Sequence, residues 1–269
     1  MKLVAKIGGS LLKSPLPGKL LDELSSFSRS GSLVIVHGGG DIVTEFATKL
    51  GKEQRFVVSP EGIRSRFTDR ETAEIYTMVM SGDVAKKLVL SLGERGVRAV
   101  GLSGLDGGLM RGRRKKKLVV VDERGRKVLI EGGYTGRVES VNAQLLELLI
   151  SSGYLPIVSP VAAGDSYEPL NVDGDRAASS IAVGMKADAV VFFTNVDGLV
   201  LDGSVVHSIT AGQARSKLRE VGFGMQKKLI AAVEAVEGGV GRAIICSGRR
   251  DEPLSSALRG DGCTVVTPA

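Results

Sequence analysis

The chain has 269 residues, of which 43% are hydrophobic and 25% are charged, and this composition excludes an intrinsically disordered protein. Two cysteines and two histidines are too few for a disulfide framework or a zinc cluster. The formal net charge is +6, which favours an acidic partner or a phosphate-bearing ligand. No apolar run reaches the length of a signal-peptide core or a membrane span, so we expect a soluble protein of the cytoplasm without a membrane partner.

Short apolar runs that are typical of buried strands alternate with helical patterns along the whole chain. The first half predicts strands at 3–7, 33–36, 97–102, 118–121 and 128–130, and helices at 20–27, 42–50 and 71–92. The last two of these strands are separated by Asp122–Gly125, which favours a β-hairpin. The second half predicts helices at 141–152, 177–185 and 225–237, and strands at 154–158, 189–194, 242–246 and 264–266.

This alternation predicts an α/β fold in which helices cover both faces of a largely parallel sheet. We expect one continuous sheet with two functional halves, residues 1–165 and residues 166–269. In such a sheet, ligands bind at the carboxyl ends of the strands, where loops and helix N-termini present unpaired backbone N–H groups.

Two glycine-rich turns follow the first two predicted strands. Gly8 and Gly9 follow the first, and Gly38–Gly40 follow the second and open a helix. Since glycine has no Cβ, such turns let the backbone approach an anion closely, although tight turns alone would also explain them. The chain has neither a P-loop sequence nor a dinucleotide-binding G-x-G-x-x-G after a strand, which argues against both of those nucleotide sites.

Six short motifs occur in a fixed order: KIGGS at 6–10, VHGGG at 36–40, GIR at 62–64, NVDGD at 171–175, TNVDG at 194–198 and GMQKK at 224–228. Together they resemble the amino-acid kinase superfamily across essentially the whole chain, and within it the acetylglutamate kinase branch. Three further segments, SRFTDRET at 65–72, GLSGLDG at 101–107 and GRRK at 112–115, resemble kinases that act on amino acids attached to the LysW amino-group carrier protein.

The resemblance implies a three-layer α/β/α sandwich, the amino-acid kinase fold, with the acyl acceptor in the N-terminal half and ATP in the C-terminal half. It also implies a homodimer and a transfer of the γ-phosphoryl group of ATP to a side-chain carboxylate. A carboxylate is already ionised at neutral pH, so the reaction needs in-line positioning and charge neutralisation rather than a general base. We expect Mg²⁺ to be held chiefly by the nucleotide, with no metal site made by the protein alone.

Three charged residues are the candidates for catalysis. Lys6 lies near the end of a buried strand, where a charge is costly unless it is paired. By resemblance, Lys6 and Lys228 stabilise the transferring phosphoryl group, and Asp175 holds the two lysines in place. The Gly-Met-x-x-Lys spacing selects Lys228 rather than its neighbour Lys227. The alternatives are that the two lysines are merely solvated and that Asp175 is an ordinary carboxylate at the N-terminus of a helix, where the helix dipole favours it.

The resemblance also assigns residues to the acceptor: Gly39, Gly40, Arg64 and Asn171. Arg64 would offer a planar fork to a carboxylate, and the alternative is a structural salt bridge. We expect a side chain at Gly39 to block the acceptor. The acetylglutamate branch commonly has asparagine at the position of Asp173, so the role of this aspartate is open.

The nucleotide candidates form two groups: Gly8, Gly9 and Ser10 in the first glycine turn, and Thr194, Asn195, Asp197 and Gly198 in the TNVDG motif. The TNVDG motif ends a predicted strand of the C-terminal half, although Asp-Gly turns are common by themselves. His37 is expected to be a structural hydrogen-bonding residue rather than a catalyst.

Residues 111–117 hold six cations: Arg111, Arg113, Arg114, Lys115, Lys116 and Lys117. Such a run is often a solvated face, and nucleic acid is another partner to consider. No aromatic residue interrupts it, which argues against stacking on single strands. An acidic LysW-type carrier that docks on Arg113, Arg114 and Lys115 agrees with both the charge and the resemblance.

Three functions follow from these observations. The first is an ATP-dependent kinase for the side-chain carboxylate of carrier-bound α-aminoadipate or glutamate, in lysine or arginine biosynthesis. The second is a kinase for free N-acetyl-L-glutamate. The third is a regulatory amino-acid or nucleic-acid binding protein that has lost catalysis, against which the presence of Lys6, Asp175 and Lys228 argues. The sequence leaves the choice between glutamate and α-aminoadipate open, since they differ by one methylene.

Overall fold

The computed structural model describes residues 1–13 and 15–268. Its strands are β1 (Lys2–Ile7), β2 (Ser32–His37), β3 (Phe56–Val58), β4 (Arg64–Arg66), β5 (Ala99–Ser103), β6 (Met110–Arg114), β7 (Lys117–Val121), β8 (Lys127–Glu131), β9 (Gly136–Val141), β10 (Leu155–Ser159), β11 (Val161–Ala163), β12 (Pro169–Asn171), β13 (Ala189–Thr194), β14 (Val200–Leu201), β15 (Ser204–Val205), β16 (Ser208–Thr210), β17 (Arg242–Ser247) and β18 (Thr264–Thr267). Its α-helices are α1 (Gly9–Leu12), α2 (Gly18–Ser28), α3 (Gly40–Lys49), α4 (Arg70–Thr77), α5 (Ala85–Gly93), α6 (Ala143–Ser151), α7 (Gly174–Gly184), α8 (Ala211–Ser216), α9 (Phe223–Glu237) and α10 (Pro253–Arg259).

An eight-stranded sheet forms the centre of the molecule, in the order β16-β18-β17-β13-β1-β2-β10-β5. Every neighbouring pair is parallel except β17 and β18, which are antiparallel. The inner strands are continuous apolar runs because both of their faces are covered. The predicted largely parallel sheet is confirmed.

Alternate residues of the central strands enter two separate cores. In β1, Leu3, Ala5 and Ile7 pack in one core with residues of α2, α5 and α10. Val4 packs in the other core, with residues of α7 and α9. Helices therefore cover both faces of the sheet, and the expected three-layer α/β/α arrangement is confirmed.

A smaller sheet and two hairpins lie beside the central sheet. The smaller sheet has the order β12-β11-β6-β9, and β3 pairs with β4 to form one hairpin. The hairpin expected at 118–121 and 128–130 is confirmed as β7 and β8. Strand β6 contains the first half of the basic run, whose sequence predicts only a run of charges before the hairpin.

Two predicted helices differ from the structure. The helix expected at 71–92 is interrupted by a π-helical segment at Met78–Val84, which separates α4 from α5. The helix expected at 141–152 begins only at Ala143, because Val141 still pairs with Met110 in the smaller sheet. In the chain as described, 1–13 and 15–268, no helix combines the length and apolar character needed to cross a membrane.

Candidate active site

Lys6 lies at the carboxyl end of β1, next to the turn that leads into α1. The alternation of the strand places it on the same face as Val4, toward α7 and α9. Its residue is only 5% exposed, and its Nζ lies 2.7 Å from Asp175 Oδ1. A lysine at this depth is tolerated because a carboxylate compensates its charge.

Asp175 is held in the first turn of α7. The side chain of Asp173 caps this helix, because its Oδ1 accepts hydrogen bonds from the backbone N–H groups of Asp175 and Arg176 at 3.0 and 3.2 Å. The structure thus gives Asp173, whose role the sequence left open, a local function. Asparagine would also supply a capping oxygen at this position.

Lys228 lies on α9 and donates to the second oxygen of Asp175, with an Nζ–Oδ2 distance of 3.2 Å. Burial raises the pKa of Asp175, but Lys6 and Lys228 more than offset this and hold the pKa below its ordinary value. Burial lowers the pKa of Lys228, and Asp175 opposes that change. Two ammonium groups therefore share one carboxylate, and the cluster retains one positive charge for an incoming anion.

The two glycine turns pack against each other beside Lys6. A Cβ on Gly9 would lie 3.0 Å from the backbone N of Gly39, and a Cβ on Gly38 would lie 2.8 Å from the backbone N of Gly9. The turns approach this closely because they carry no side chains. The carboxyl ends of β1 and β2 meet at this edge of the sheet.

Gly39 has φ +139°, a conformation that favours glycine. A Cβ there would lie 3.1 Å from Met80 Sδ and 3.3 Å from Val84 Cγ2, in the π-helical segment and at its end. A substitution would first disturb this packing. Gly39 also lines the cleft, and a block of the acceptor by a side chain at this position stays a prediction.

His37 is fully buried and has two hydrogen-bond partners. Its Nδ1 lies 2.8 Å from the carbonyl oxygen of Gly38, so Nδ1 is the donor, and Nε2 lies 3.0 Å from Ser159 Oγ. Burial lowers its pKa to about 4, and nearby Lys6 acts in the same direction. The ring is thus neutral at pH 7 and buttresses the glycine turn, in agreement with the structural role expected for it.

Arg64 and Arg66 both extend from β4 toward the cleft, but they have different surroundings. Arg66 donates to the carbonyl oxygen of Gly40 at 2.6 Å and to Thr44 Oγ1 at 2.8 Å, so its guanidinium holds the second glycine turn. Arg64 stacks on Phe56, with its Cζ 3.9 Å from the ring centroid. Within residues 1–13 and 15–268 it forms no ion pair, which leaves its fork available to a ligand.

Asn171 ends β12 and is oriented by Thr68. Its Nδ2 donates to Thr68 Oγ1 at 2.9 Å, and Thr68 Oγ1 donates in turn to the carbonyl oxygen of Arg66 at 3.4 Å. This chain of bonds fixes the direction of the amide. Asn171 lines the cleft, and its Oδ1 is the atom of the amide that this bond leaves as an acceptor.

One cleft of about 1380 Å³ joins most of the predicted site residues. Those that line it are Lys6, Gly8, Gly9, Ser10, Gly39, Gly40, Arg64, Lys115, Asn171, Asp175, Thr194, Asn195, Gly198 and Lys228. Asp197 does not line it, because this carboxylate turns to Arg250 and forms an ion pair at 3.0 Å. Thr194, Asn195 and Gly198, at and just after the end of β13, line the cleft where the nucleotide loop is predicted.

The three basic residues predicted to dock a carrier do not form one patch. Arg113 pairs with Glu139 at 2.7 Å, and the guanidinium of Arg114 stacks on Tyr134 at 4.1 Å. Lys115 instead lies at the edge of the cleft. Desolvation lowers its pKa, and the positive charge of Arg176 adds to this effect.

Sequence reasoning overlooked Arg66, Tyr76 and Arg176 in this cleft and left the role of Asp173 open. Arg66 belongs to a segment that the resemblance had already singled out. Asp173 could have been found from its position two residues before Asp175, since aspartate before a helix is a capping signal. Tyr76 and Arg176 had no such signal, because helical spacing does not show which helix faces a cleft.

Residues 1–247 match the Amino acid kinase family, and the chain belongs to that family. A relative from Cenarchaeum symbiosum (strain A) is 52% identical over 264 residues, which are 98% of each chain. A LysW-aminoadipate/LysW-glutamate kinase from Saccharolobus solfataricus is 41% identical over 265 residues, 98% of this chain and 99% of that one. Among solved structures, an N-acetylglutamate synthase from Neisseria gonorrhoeae matches with a TM-score of 0.81 at 25% identity, over 100% of this chain and 59% of that one. The predicted family, fold and enzyme class, a phosphotransferase, are confirmed.

Proposed function

We propose that this enzyme transfers the γ-phosphoryl group of ATP to the side-chain carboxylate of α-aminoadipate or glutamate that is bound to a LysW-type carrier protein. The observation that carries the proposal is the buried cluster of Lys6, Asp175 and Lys228 at the floor of a cleft, between two glycine turns and a strand-end loop. The kinase name of a relative that is 41% identical over nearly the whole chain supports this substrate class.

The chemistry needs few groups from the protein. An oxygen of the ionised acceptor carboxylate attacks the γ-phosphorus, and the bond to the β–γ bridging oxygen breaks, so that an acyl phosphate and ADP result. Lys6 and Lys228 neutralise charge on the transferring group, and Asp175 fixes both lysines before the substrates bind. The first N–H groups of α3, at Gly40 and Asp41, have no acceptor within the helix and extend the anion site.

ATP would enter this scheme as its Mg²⁺ complex, held chiefly by the nucleotide, and the metal would supply neutralisation of the phosphate charge. Asp175 is engaged by two lysines and would not serve as a ligand. The nucleotide would lie against Gly8, Gly9, Ser10 and the loop Thr194–Gly198, with Asp197 at its outer side.

The two functional halves follow from the same arrangement. Residues 1–165 would hold the acceptor through Gly39, Gly40 and Arg64, and residues 166–269 would hold ATP through the loop after β13. Asn171 lies just beyond this boundary, but its side chain donates to Thr68 of the first half, so it would act with the acceptor site.

A carrier is favoured by the charge around the hairpin of β7 and β8. Residues 110–131 contain nine lysines and arginines against three acidic residues, so this segment alone has a net charge of +6. Such a field attracts an acidic protein and raises its association rate. We assign the approach of the carrier to this segment, with Arg113 and Arg114 on β6 and Lys115 at the cleft.

A side pocket of about 240 Å³ adjoins the cleft and would give the attached chain a way out of it. It shares Arg66, Lys115 and Arg176 with the lining of the cleft and is bordered by residues of β7. Its lining is largely apolar and contains four cations against two carboxylates, which suits a segment of acidic polypeptide that leads from the amino acid to the carrier. Its lining residues include Val57, Ile63, Leu118, Val120 and Ile230.

We also propose a cytoplasmic homodimer. Strand β5 is an edge of the central sheet and is only half-buried, and such an edge favours association with another copy. Leu90 on α5 and Leu148 on α6, two helices that pack against β10 or β5 at this end of the sheet, are 68% and 62% exposed. Light scattering of the wild type and of Leu90→Glu and Leu148→Glu tests the dimer, and an unchanged mass in both variants would contradict this face.

The function is tested by incubating the enzyme with MgATP and each of three acceptors: carrier-bound α-aminoadipate, carrier-bound glutamate and free N-acetyl-L-glutamate. Trapping the product with hydroxylamine detects the acyl phosphate, and ADP release gives the rate. We expect turnover of at least one carrier-bound acid at a kcat/KM far above that for the free acceptor. Turnover of only N-acetyl-L-glutamate, or no ADP release with any acceptor, would overturn the proposal.

A further inference from the structure

Tyr76 is a buried aromatic residue that the scheme above does not use. It lies on α4, is 6% exposed and contributes to the lining of the cleft. Its ring packs in a core cluster with Val43, Val79 and Met80. Helix α4 also packs against β12, which carries Asn171, so Tyr76 belongs to the acceptor side of the site.

The hydroxyl of Tyr76 has no hydrogen-bond partner in the part of the chain that the structure describes. Its oxygen is also not among the fully enclosed polar atoms. Burial raises the pKa of this phenol, Asp173 adds to the effect and Arg66 opposes it. The group is therefore a neutral O–H donor at the wall of the cleft, and buried hydroxyls without a partner are costly.

The neighbouring polar groups indicate what this donor would bind. Asn171 lines the cleft, and its Nδ2 is taken by Thr68, which leaves its Oδ1 as the acceptor. It can therefore accept from the amide N–H of an N-linked amino acid. The oxygens at the same end of that ligand, on the α-carboxylate and the amide carbonyl, need donors. Arg64 is one donor available to them, and Tyr76 is another.

We propose that the Tyr76 hydroxyl donates a hydrogen bond to an oxygen at the backbone end of the bound amino acid and thereby positions the acceptor. This inference rests on the proposed function. The far end of the acceptor must reach the phosphoryl group at Lys6 and Lys228, so an anchor at the near end fixes the distance between the two. Tyr76 is then a positioning residue that helps to discriminate glutamate from α-aminoadipate, which is one methylene longer.

The test is Tyr76→Phe, which removes one oxygen and keeps the ring in its apolar packing. We expect kcat/KM for the preferred carrier-bound acid to fall roughly tenfold, since one hydrogen bond to an acceptor oxygen is lost, with an unchanged KM for ATP. The ratio of kcat/KM between the two acids should move toward unity. The matched control is Tyr154→Phe, a tyrosine that stacks on Arg98 and does not line the cleft.

Three results would overturn the inference while the proposed function stands: an unchanged kcat/KM in Tyr76→Phe, an equal loss for both acids with an unchanged ratio, or an equal loss in Tyr154→Phe. A wild-type enzyme without turnover of either carrier-bound acid would instead contradict the proposed function itself. A binding readout is independent of turnover. Titration calorimetry with N-acetyl-L-glutamate should show weaker binding to Tyr76→Phe than to the wild type, and equal binding by the two would overturn the inference.

Discussion

Two cationic regions border the cleft, and they differ in burial and in pairing. At the floor, Lys6 and Lys228 share the carboxylate of Asp175, and their side chains are 7% and 15% exposed. At the rim, the side chain of Arg113 is 62% exposed, and its partner Glu139 lies in the same small sheet. The floor is built from β1, α7 and α9, which pack in one core, whereas the rim is built from β6 and a hairpin.

The difference shows how location determines what a charge can do. A buried charge has a high desolvation free energy, but solvent screens its interactions little, so it suits the stabilisation of a transition state at a fixed point. An exposed charge keeps its hydration, and its interactions are screened over about 8 Å at physiological salt, so it suits the attraction of an approaching partner. The predictions below test this division between floor and rim.

The largest effect is expected at the floor. Lys6→Ala and Lys228→Ala should each lower kcat by roughly 100-fold or more, the scale for loss of a preorganised donor to developing charge. Asp175→Asn should also impair turnover, because the two lysines lose their anchor. Steady-state kinetics measures these effects, and a melting curve checks that each variant is folded.

The control for this prediction is Lys227→Ala. Lys227 neighbours Lys228 on α9 but faces Asp173, at 3.8 Å, instead of Asp175. A loss in Lys227→Ala as large as that in Lys228→Ala would contradict the assignment of Lys228.

The next effect concerns His37, which lies beneath the floor. Its pKa is about 4 in the folded protein and 6.5 ordinarily, so as pH falls below 6.5 the unfolded chain takes up a proton that the folded chain does not. The free energy of unfolding should therefore drop by roughly 3 kcal/mol between pH 6.5 and pH 4. Asp175, whose pKa is lowered, adds a further loss at still lower pH.

Urea unfolding of the wild type and His37→Gln across this pH range measures the contribution, and the variant should show a flatter dependence above pH 4. The matched control is His207→Gln, since His207 is exposed. An equally steep dependence in His37→Gln would show that other groups cause the loss.

Much of the fold was predictable because its signals are local. The runs at Leu33–Val36 and Ala189–Thr194 are apolar without interruption, as buried parallel strands are, and both are strands in the structure. Strand β6 escaped prediction because its alternation of Arg111 and Arg113 with Gly112 reads as a charge run. The π-helical segment was also unpredictable, since the apolar spacing of 71–92 continues through it.

The floor of the site was predictable for a different reason. The order and spacing of the motifs identified Lys6, Asp175 and Lys228, and the structure brings all three together. The rim was predicted from charge alone, which says where cations lie along the chain but not which way they turn. Lys115 lies at the cleft, whereas Arg113 pairs with Glu139 of the small sheet and Arg114 stacks on Tyr134, which precedes β9.

The rim can be tested by charge reversal. Exchange of Arg113, Arg114 and Lys115 together for glutamate should lower kcat/KM for the carrier-bound acid by roughly tenfold or more, and added salt should imitate this in the wild type. Two separate variants sharpen the test. Arg113→Glu with Arg114→Glu should affect only the carrier-bound acid, whereas Lys115→Glu, at the cleft, should also affect a small free acceptor.

Equal losses on both acceptors in the Arg113 and Arg114 variant would place those residues in catalysis or indicate misfolding, which a melting curve distinguishes. No loss on either acceptor would favour a merely solvated face. Competition by DNA or RNA, without competition by the free carrier, would favour a nucleic-acid partner.

The smallest effect is expected at Asp173, which links the two regions. Its Oδ1 caps α7, two residues before Asp175, and its Oδ2 lies 3.8 Å from Lys227 at the rim. Asp173→Ala should lower the free energy of unfolding by about 1 kcal/mol, because the first N–H groups of α7 lose their acceptor. Asp173→Asn keeps a capping oxygen and removes only a half-exposed ion pair, whose contribution is small, so its stability should remain within a few tenths of a kcal/mol of the wild type. Urea unfolding of the two variants at pH 7 separates the contribution of the cap from that of the charge. Equal losses in the free energy of unfolding would mean that the charge of Asp173, and with it the coupling between floor and rim, contributes more than the helix cap.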